Sequence, residues 1–521
     1  MSESYRMYAN ISFVGVLIVL GVPLWWKTTE VYRVTLPYAR IDALDSIPFK
    51  ISMSIQLAFQ DQERGAFIKE KLEQKFISSD VYDLTFDLVT LPSKFDASQE
   101  SLERADRGPG SLLLVEWPSL PRQVQVTLFR VVLFSEKATA ALLSKVLSQW
   151  LLQETSVLSA LRASAYARHD ASARRRAPPS RAFDIALTVA SPNPDKIRVE
   201  WTPKDAIEEY LEPFVQELST IHNFTLKSQW LYFVQLAFNP KQVRDTTPLL
   251  RHYALPEDVL PHLITPLEKK LASHISKNPC LNLVLYTPPC DQSPIHIYKN
   301  NGGRANGAME AFLSPRWGGV VIGNPPLEVC EAYLQDEQLP IPVYRPPTRE
   351  IMGYFLAQLR LLLGIPDQDP IVGAEVDPLT TVAPRKWELD ALVRLRTIEQ
   401  VISAKLTLKS LAQLLGEISN IVINDEVGAS IYNAVENVER TDELLRNGRL
   451  MDALECSRSA FLSAEAAFTN PSLLALLYFP DDQKYAVYMP LFLPIMIPVI
   501  MSMKNIWKWG KGIPLHKEKT E

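Results

Sequence analysis

Hydrolytic or transfer chemistry needs a nucleophile beside a base, so the four cysteines and seven histidines are read first. None of the histidines is followed by glycine, as the base is in caspase-like proteases. Cys280, Cys290, Cys330 and Cys456 lack the residues that surround the nucleophile in those enzymes. In an oxidising compartment Cys280 and Cys290, which flank the turn signal Pro288-Pro289, can close a small loop, the alternative being four unbridged thiols. Gly302-Gly-Arg-Ala-Asn-Gly307 has the glycine spacing of a phosphate loop but continues Ala-Met. Without the lysine that reaches the terminal phosphates it reads as a glycine-rich turn. Cys-x-x-Cys, His-Glu-x-x-His and Gly-x-Ser-x-Gly are all absent, and Glu208-Glu209 reads as a solvated helix face. No catalytic, cofactor-binding or metal-ligating set emerges, and no cofactor is expected.

The elements that would position any such residue are those of an α/β protein. Phe49, Ile51, Met53, Ile55, Leu57 and Phe59 alternate with polar neighbours, the period-two pattern of a half-buried strand. A helical stretch follows, with Phe67 or Ile68, Leu72 and Phe76 on one face, and then a second alternating run from Tyr82 to Leu88. Residues 112–117 and 124–134 read as buried strands and 138–162 as a long helix. Residues 164–181, with Arg174-Arg-Arg176 and no apolar period, read as a surface loop. Strands are expected at 182–190, 197–201, 224–238, 281–286 and 317–323, with helices at 206–221 and 350–363; alternation of this kind argues for layers of helix and sheet. From Trp387 the character changes: Leu389, Leu392, Leu395, Ile398, Ile402 and Leu406 lie on one helical face, and helices continue through 411–423, 428–446 and 450–468. No fixed-period repeat is visible.

Charge and hydropathy place the chain in a membrane. The net charge of −5 speaks against a nucleic-acid partner. Residues 7–26 carry no charged side chain and end in Pro-Leu-Trp-Trp, with Tyr5 and Tyr8 at the other end. That is the length of a membrane-crossing helix with aromatic residues at both interfaces. Residues 485–503 are likewise uncharged, between Tyr485 with Tyr488 and Trp507 with Trp509. The tail beyond Met503 has five lysines against two glutamates, so the positive-inside rule puts it in the cytosol. Two spans then put the N-terminus on the same side and the 458 residues between them, net −8, across the membrane.

Several residues become candidates on this topology. Tyr5, Arg6 and Tyr8 would meet lipid headgroups. Asn223-Phe-Thr225 is an N-glycosylation sequon on the far side, whereas Asn10-Ile-Ser12 lies inside the first span. Lys517 and Lys519 resemble a di-lysine retrieval signal of endoplasmic-reticulum membrane proteins. Pro490, Pro494 and Pro498 share one helical face and leave the carbonyls of Ala486, Pro490 and Pro494 without their usual donors, which suggests a face packed on other spans.

Five segments, in order from the first span to the last, carry a resemblance: Gly21-Val-Pro-Leu-Trp-Trp-Lys-Thr-Thr-Glu30, Pro315-Arg-Trp-Gly-Gly319, Phe355-Leu-Ala-Gln-Leu-Arg360, Ser410-Leu-Ala-Gln-Leu-Leu-Gly416 and Leu477-Tyr-Phe-Pro-Asp-Asp-Gln-Lys484. Together they resemble the PIG-S family, the phosphatidylinositol-glycan class S subunit of GPI transamidase. The resemblance implies an accessory, non-catalytic role in an endoplasmic-reticulum complex that removes a C-terminal signal from a proprotein and attaches a GPI anchor. It implies catalysis in the caspase-like PIG-K subunit, with PIG-T, PIG-U and the GPI-anchor attachment subunit as further partners. The expected organisation is α/β with a C-terminal helical block and a transmembrane helix at each end. It comprises a cytosolic 1–6, a first span 7–26, a lumenal α/β region 27–384 with its loop at 164–181, a lumenal helical region 385–484, a second span 485–503 and a basic cytosolic tail 504–521. The alternative is an independent membrane-tethered lumenal thiol hydrolase. A transporter is excluded, because two spans without intramembrane charge make no pathway.

Overall fold

The alternation after Phe49 folds as a strand because every second side chain can be withdrawn from water, and Ile51, Met53, Ile55 and Leu57 are buried in turn. The computed structural model describes the chain apart from residues 1–2, 30–31, 92–94, 163–173, 237, 245–250, 272–275, 301, 306, 337–339, 419–420, 475–480 and 512–521. It divides into two units. One comprises Ile47–Ser403 with Val438–Arg458, the other Met1–Ser46, Ala404–Asn437 and Ser459–Glu521.

The larger unit is a mixed α/β body built twice on one plan. Its first half contains β1 (Ile51–Ala58), β2 (Tyr82–Leu88), β3 (Ser111–Glu116), β4 (Val124–Val126) and β5 (Val131–Phe134), in the order β2-β1-β3-β5-β4. All neighbours run parallel except the β4–β5 hairpin. The second half contains β6 (Ala182–Ser191), β7 (Arg198–Val199), β8 (Asn223–Tyr232), β9 (Lys241–Arg244), β10 (Arg251–Pro256), β11 (Cys280–Tyr286), β12 (Ile295–Tyr298), β13 (Glu310–Ser314) and β14 (Gly318–Ile322). Its main sheet runs β8-β6-β11-β14-β13, again parallel but for a final hairpin. The same chain order and the same directions recur, so β1 corresponds to β6, β2 to β8, β3 to β11 and β5 to β14. The sequence shows no such repeat. β9, β10 and β12 form a separate three-stranded sheet, β15 (Val343–Tyr344) pairs with β7, and β16 (Ala374–Val376) returns to the first sheet beside β4.

Several boundaries differ from those expected. Residues 124–134 form a hairpin, since Thr127 turns the chain with its hydroxyl on the Val131 carbonyl at 2.7 Å. The long helix at 138–162 breaks at Gln153, which takes a left-handed φ of 48°. Arg176, expected in a surface loop, is buried 2.9 Å from Glu399. Gly318 and Gly319 are required by close packing: a Cβ on Gly318 would lie 2.0 Å from the Asn282 carbonyl oxygen, and one on Gly319 would run into Gln358.

The helix Lys386–Glu417 stands at the centre of this unit through its first five turns. The sequence expected one apolar face, yet the helix is buried almost all round from Trp387 to Gln400. Its charged residues are divided between the two halves. Asp390 accepts Arg130 of the first half at 2.6 and 2.8 Å, and Glu388 accepts Arg360 of the second at 2.8 Å. Arg394 donates to the Leu151 carbonyl at 2.6 Å, and Arg396 to those of Leu363 and Ala177 at 2.9 and 3.2 Å. Charges that would read as a solvated face are therefore the fittings that hold two halves on one helix.

In the smaller unit the helix Glu3–Val16 passes through a wide turn, Leu17–Gly21, into the helix Val22–Thr29. The Val22 N–H reaches back to the Leu17 carbonyl just where Pro23 withdraws a donor. Met7–Leu24 is long and apolar enough to cross a membrane. The helix Asp481–Gly510 packs along the N-terminal one, and Ser502 Oγ donates to Asn10 Oδ1 at 3.4 Å. In the same unit, the Tyr32 hydroxyl donates to Asp425 at 2.9 Å, and Asp45 takes Lys405 and Lys409 at 3.0 and 2.5 Å.

Candidate functional site

In open α/β sheets ligands bind at the carboxyl ends of the strands, where neighbouring connections leave in opposite directions. The duplicated plan gives two such crevices, one between β1 and β3 and one between β6 and β11. The strand ends of each are occupied by the chain's own residues, beside a cleft of about 130 Å³ over the β1–β3 seam lined by Gln56, Val89, Leu91 and Leu113. In the first, Glu116, the buried last residue of β3, accepts the Gln60 N–H at 3.0 Å and the guanidinium of Arg64. Arg64 also donates to the Ala138 carbonyl at 3.2 Å, while the Phe59 and Phe134 rings meet edge to face at 5.1 Å.

In the second crevice the chain leaving β11 stays buried from Thr287 to Cys290. The Thr287 N–H donates to the Ala190 carbonyl at 3.0 Å. Cys290 is bonded to Cys330, Lys196 reaches Asp291 at 2.5 Å, and the Asn324 side chain exchanges two 2.9 Å hydrogen bonds with Ile295. This corrects the expected Cys280–Cys290 bridge. Cys280 begins the seven-residue β11 and Cys290 follows its far end. A strand of that length spans roughly 20 Å, well beyond the ~7 Å limit for bridged Cα atoms. The observed pair has Cα atoms 5.0 Å apart.

Cys280 is a free thiol in an open cleft of about 450 Å³ at the opposite, amino end of the second sheet. Beside it the Asp184 carboxylate accepts Asn278 at 3.0 Å and is also held by Lys227 and Ser276. Burial alone would raise the Asp184 pKa, but these donors outweigh it and the carboxyl is held below its usual range. Burial, and then the Asp184 charge, push the Cys280 thiol up to about 11. A reactive thiolate needs the reverse environment, and among the described residues no histidine lines this cleft. Burial also raises the Cys456 thiol. With Cys290 and Cys330 joined, the thiol-hydrolase alternative has no activated sulfur among the four cysteines.

One polar cluster carries no signal in the sequence, because no short motif links its members. His296 Nδ1 lies 2.9 Å from Glu310 Oε1, and that carboxylate also takes the Ile297 N–H at 3.0 Å and Arg304 at 3.1 Å. His252 Nε2 lies 2.7 Å from the Tyr298 hydroxyl. Glu310 orients His296, and the His252 ring, tilted against it at 5.4 Å, is itself tied to the Tyr298 hydroxyl. Arg304 comes from the glycine-rich segment, where Gly302 adopts a φ of 80° as a turn requires. Among the described residues no three His, Cys, Asp or Glu side chains group to hold a metal ion.

The other sequence candidates are scattered. Tyr5 and Tyr8 are exposed near the start of the N-terminal helix, with Arg6 between them. Asn223 is the exposed first residue of β8. Pro490, Pro494 and Pro498 all lie inside the helix Asp481–Gly510 and are exposed. Lys517 and Lys519 lie outside the described residues.

Occupied strand ends, cysteines without activation and two α/β halves clamped on one helix define a scaffold-like architecture, in a chain that also has a long apolar N-terminal helix. Comparison with known proteins adds the family. A family model for phosphatidylinositol-glycan biosynthesis class S protein (PIG-S) matches residues 12–511, and the chain belongs to that family. It is 35% identical to the GPI-anchor transamidase component PIGS of Bos taurus over 98% of this chain and 97% of the relative. It is 34% identical to the Homo sapiens protein of the same name, over 98% and 97% respectively. The GPI transamidase component GPI17 of Saccharomyces cerevisiae is 24% identical over 97% of this chain and 93% of its own length.

Proposed function

We propose that this chain is an accessory, non-catalytic subunit of a GPI transamidase, supporting removal of a proprotein's C-terminal signal and attachment of the GPI anchor. The observation that carries this reading is the full-length family match, to relatives named as components of that enzyme. The occupied strand ends agree with a supporting role, since chemistry at a strand terminus needs space for a substrate. Its partners are the caspase-like PIG-K subunit, which would supply the nucleophile, together with PIG-T, PIG-U and the GPI-anchor attachment subunit.

The chain crosses the endoplasmic-reticulum membrane twice, through residues 7–26 and 485–503. Residues 27–384 and 385–484 stand in the lumen, while 1–6 and 504–521 are cytosolic. The packed pair of terminal helices and the Asn10–Ser502 hydrogen bond support two adjoining spans. Tyr5, Arg6 and Tyr8 meet cytosolic headgroups, and Lys517 with Lys519 returns the protein to the endoplasmic reticulum. The buried residues of the C-terminal helix include Val499 and Ser502, whereas Pro490, Pro494 and Pro498 are exposed. That proline face would meet spans of the other subunits, whose side-chain donors satisfy the three freed carbonyls.

A single complementation experiment tests the reading. Cells lacking the chain should lose surface display of a GPI-anchored reporter and accumulate its uncleaved proprotein. The parent chain and its Cys280→Ala and Cys456→Ala variants should restore both. A Pro490→Leu, Pro494→Leu, Pro498→Leu triple variant should recover several-fold less of the other subunits in mild detergent. Normal reporter display without the chain would overturn the assignment, and undiminished recovery would overturn the proline interface.

A further inference from the structure

Positive charge is gathered at one end of the second half. The chain carries a net charge of −5, yet the connections that enter β6, β11 and β14 at their amino ends are basic. Residues 174–178, 268–279 and 315–317 contribute Arg174, Arg175, Lys269, Lys270, Lys277 and Arg316, all exposed, against one carboxylate, Glu268. Arg176, the remaining cation, is buried on Glu399. Among the described residues no carboxylate pairs with any of the six.

These connections wall the open cleft of about 450 Å³ in which Cys280 lies, and its lining includes Arg316, Trp317, Ser276, Asn278 and Asn282. The Arg316 N–H donates to the Arg175 carbonyl at 3.0 Å, which brings the first and third connections together. Arg316 holds a left-handed φ of 63°, a backbone that residues with side chains rarely adopt. The Asp184 carboxylate beside Cys280 does not oppose an anion here, because Lys227 is ion-paired with it.

Size and chemistry select the ligand. A cleft of this volume suits a small molecule. An extended peptide would need a long groove or a free strand edge, and β6, β11 and β14 are interior strands of their sheet. Arginine takes phosphate oxygens in pairs, and lysine neutralises them as a point charge. An indole beside amide side chains offers a sugar an apolar surface for its C–H face and partners for its hydroxyls.

We propose that this cleft binds a phosphorylated saccharide, with the phosphate on Arg316 and Lys277 and a sugar face against Trp317. Two sources share that chemistry, a free sugar phosphate and the phosphoglycan of a lipid anchor. The second rests on the transamidase reading above, and it would make the cleft a holding site for the GPI that the complex attaches. Binding is non-covalent and asks nothing of the Cys280 thiol.

The test begins with the full-length chain in mild detergent, titrated with mannose 6-phosphate, mannose and inorganic phosphate. Mannose 6-phosphate should bind several-fold more tightly than either fragment, and its affinity should fall as salt rises. Lys277→Gln with Arg316→Gln should lose several-fold in affinity. Lys137→Gln with Lys145→Gln, which removes the same charge from exposed positions of the first half, should lose none. Inorganic phosphate binding as tightly as the sugar phosphate, or equal losses in the two pairs, would overturn the proposal. Cells lacking the chain then separate the sources. If the ligand is lipid-linked, the cleft pair should recover the companion subunits in full yet display several-fold less GPI-anchored reporter than the parent. Parent-level display alongside lost binding would assign a free sugar phosphate. Loss of the companions would make the cleft a subunit interface and sink the proposal. A parent chain that fails to restore display would bring down the transamidase reading alone, leaving the titration to judge the cleft.

Discussion

Burial of a single imidazole ties this fold to pH. His222 is 2% exposed, lies edge-on to Phe183 and Phe224 at 5.0 and 6.1 Å, and holds the Ser180 carbonyl 2.8 Å from Nδ1. Burial, followed by the nearby Arg396 charge, pushes its pKa down to about 3. In the unfolded chain the ring takes up a proton below about 6.5. The native state refuses that proton until far lower pH. Its contribution is therefore neutral above ~6.5, and stability falls by up to about 1.4 kcal/mol per unit as pH drops below that value. The urea midpoint should fall steadily from pH 6.5 to 4.5, and His222→Phe should flatten that slope while lowering stability at pH 7 by about 1 kcal/mol through the lost hydrogen bond. Asp184 acts in a separate window. Its depressed carboxyl contributes stability that is complete above the unfolded carboxylate range and disappears only as pH falls through its lower folded value. An unchanged slope in His222→Phe would show that another group governs the acid limb.

The Lys386–Glu417 helix shows why elements are harder to read than residues. Arg130 is held between Asp390 and Asp106, the latter at 3.0 Å, and is 9% exposed. Asp390→Leu should cost about 3–5 kcal/mol because it strands a buried guanidinium, and adding Arg130→Met should recover most of that loss. Thermal unfolding of the two single variants and the double variant checks this; additive losses would mean the pair is not coupled. Periodicity correctly marked this segment as helical, but it marked only one face as apolar. A helix enclosed by two α/β halves has no wet face, and a sequence cannot announce that its charges will find partners more than two hundred residues away. Local signals did best where burial is one-sided, as at β1 and β2, and at the helix Thr348–Leu363, found within two residues. They failed where tertiary contact decides: the turn at Thr127, the break at Gln153 and the Cys290–Cys330 bond. The site candidates fared likewise. Glu116 and Arg64 occupy a strand end from positions with no motif, and the His296–Glu310 pair depends on strand neighbours.

At the scale of the larger unit, a duplicated plan would ordinarily give two independently stable domains, each with its own core. Here the halves share parts. β16, which follows the second half in sequence, completes the sheet of the first, and the central helix fastens to both. Neither half keeps its hydrogen bonds if the other lets go of that helix. Buried carbonyls and carboxylates on both sides would lose their donors together, at about 1–3 kcal/mol for each group left unsatisfied. The unit should thus open as one cooperative body despite its repeat. The discriminating variant is Arg394→Met, since Arg394 donates to the first half, at the Leu151 carbonyl and the Met53 sulfur 3.6 Å away. Native-state hydrogen exchange should show the slowest amides of β11 and β14 losing protection by the same factor as those of β1 and β3. If protection falls in β1 and β3 alone, the halves are separate folding units that merely touch a common helix. A shared factor would mean that strain placed on either half is felt in the other, the property a subunit needs if it is to hold several partners in register.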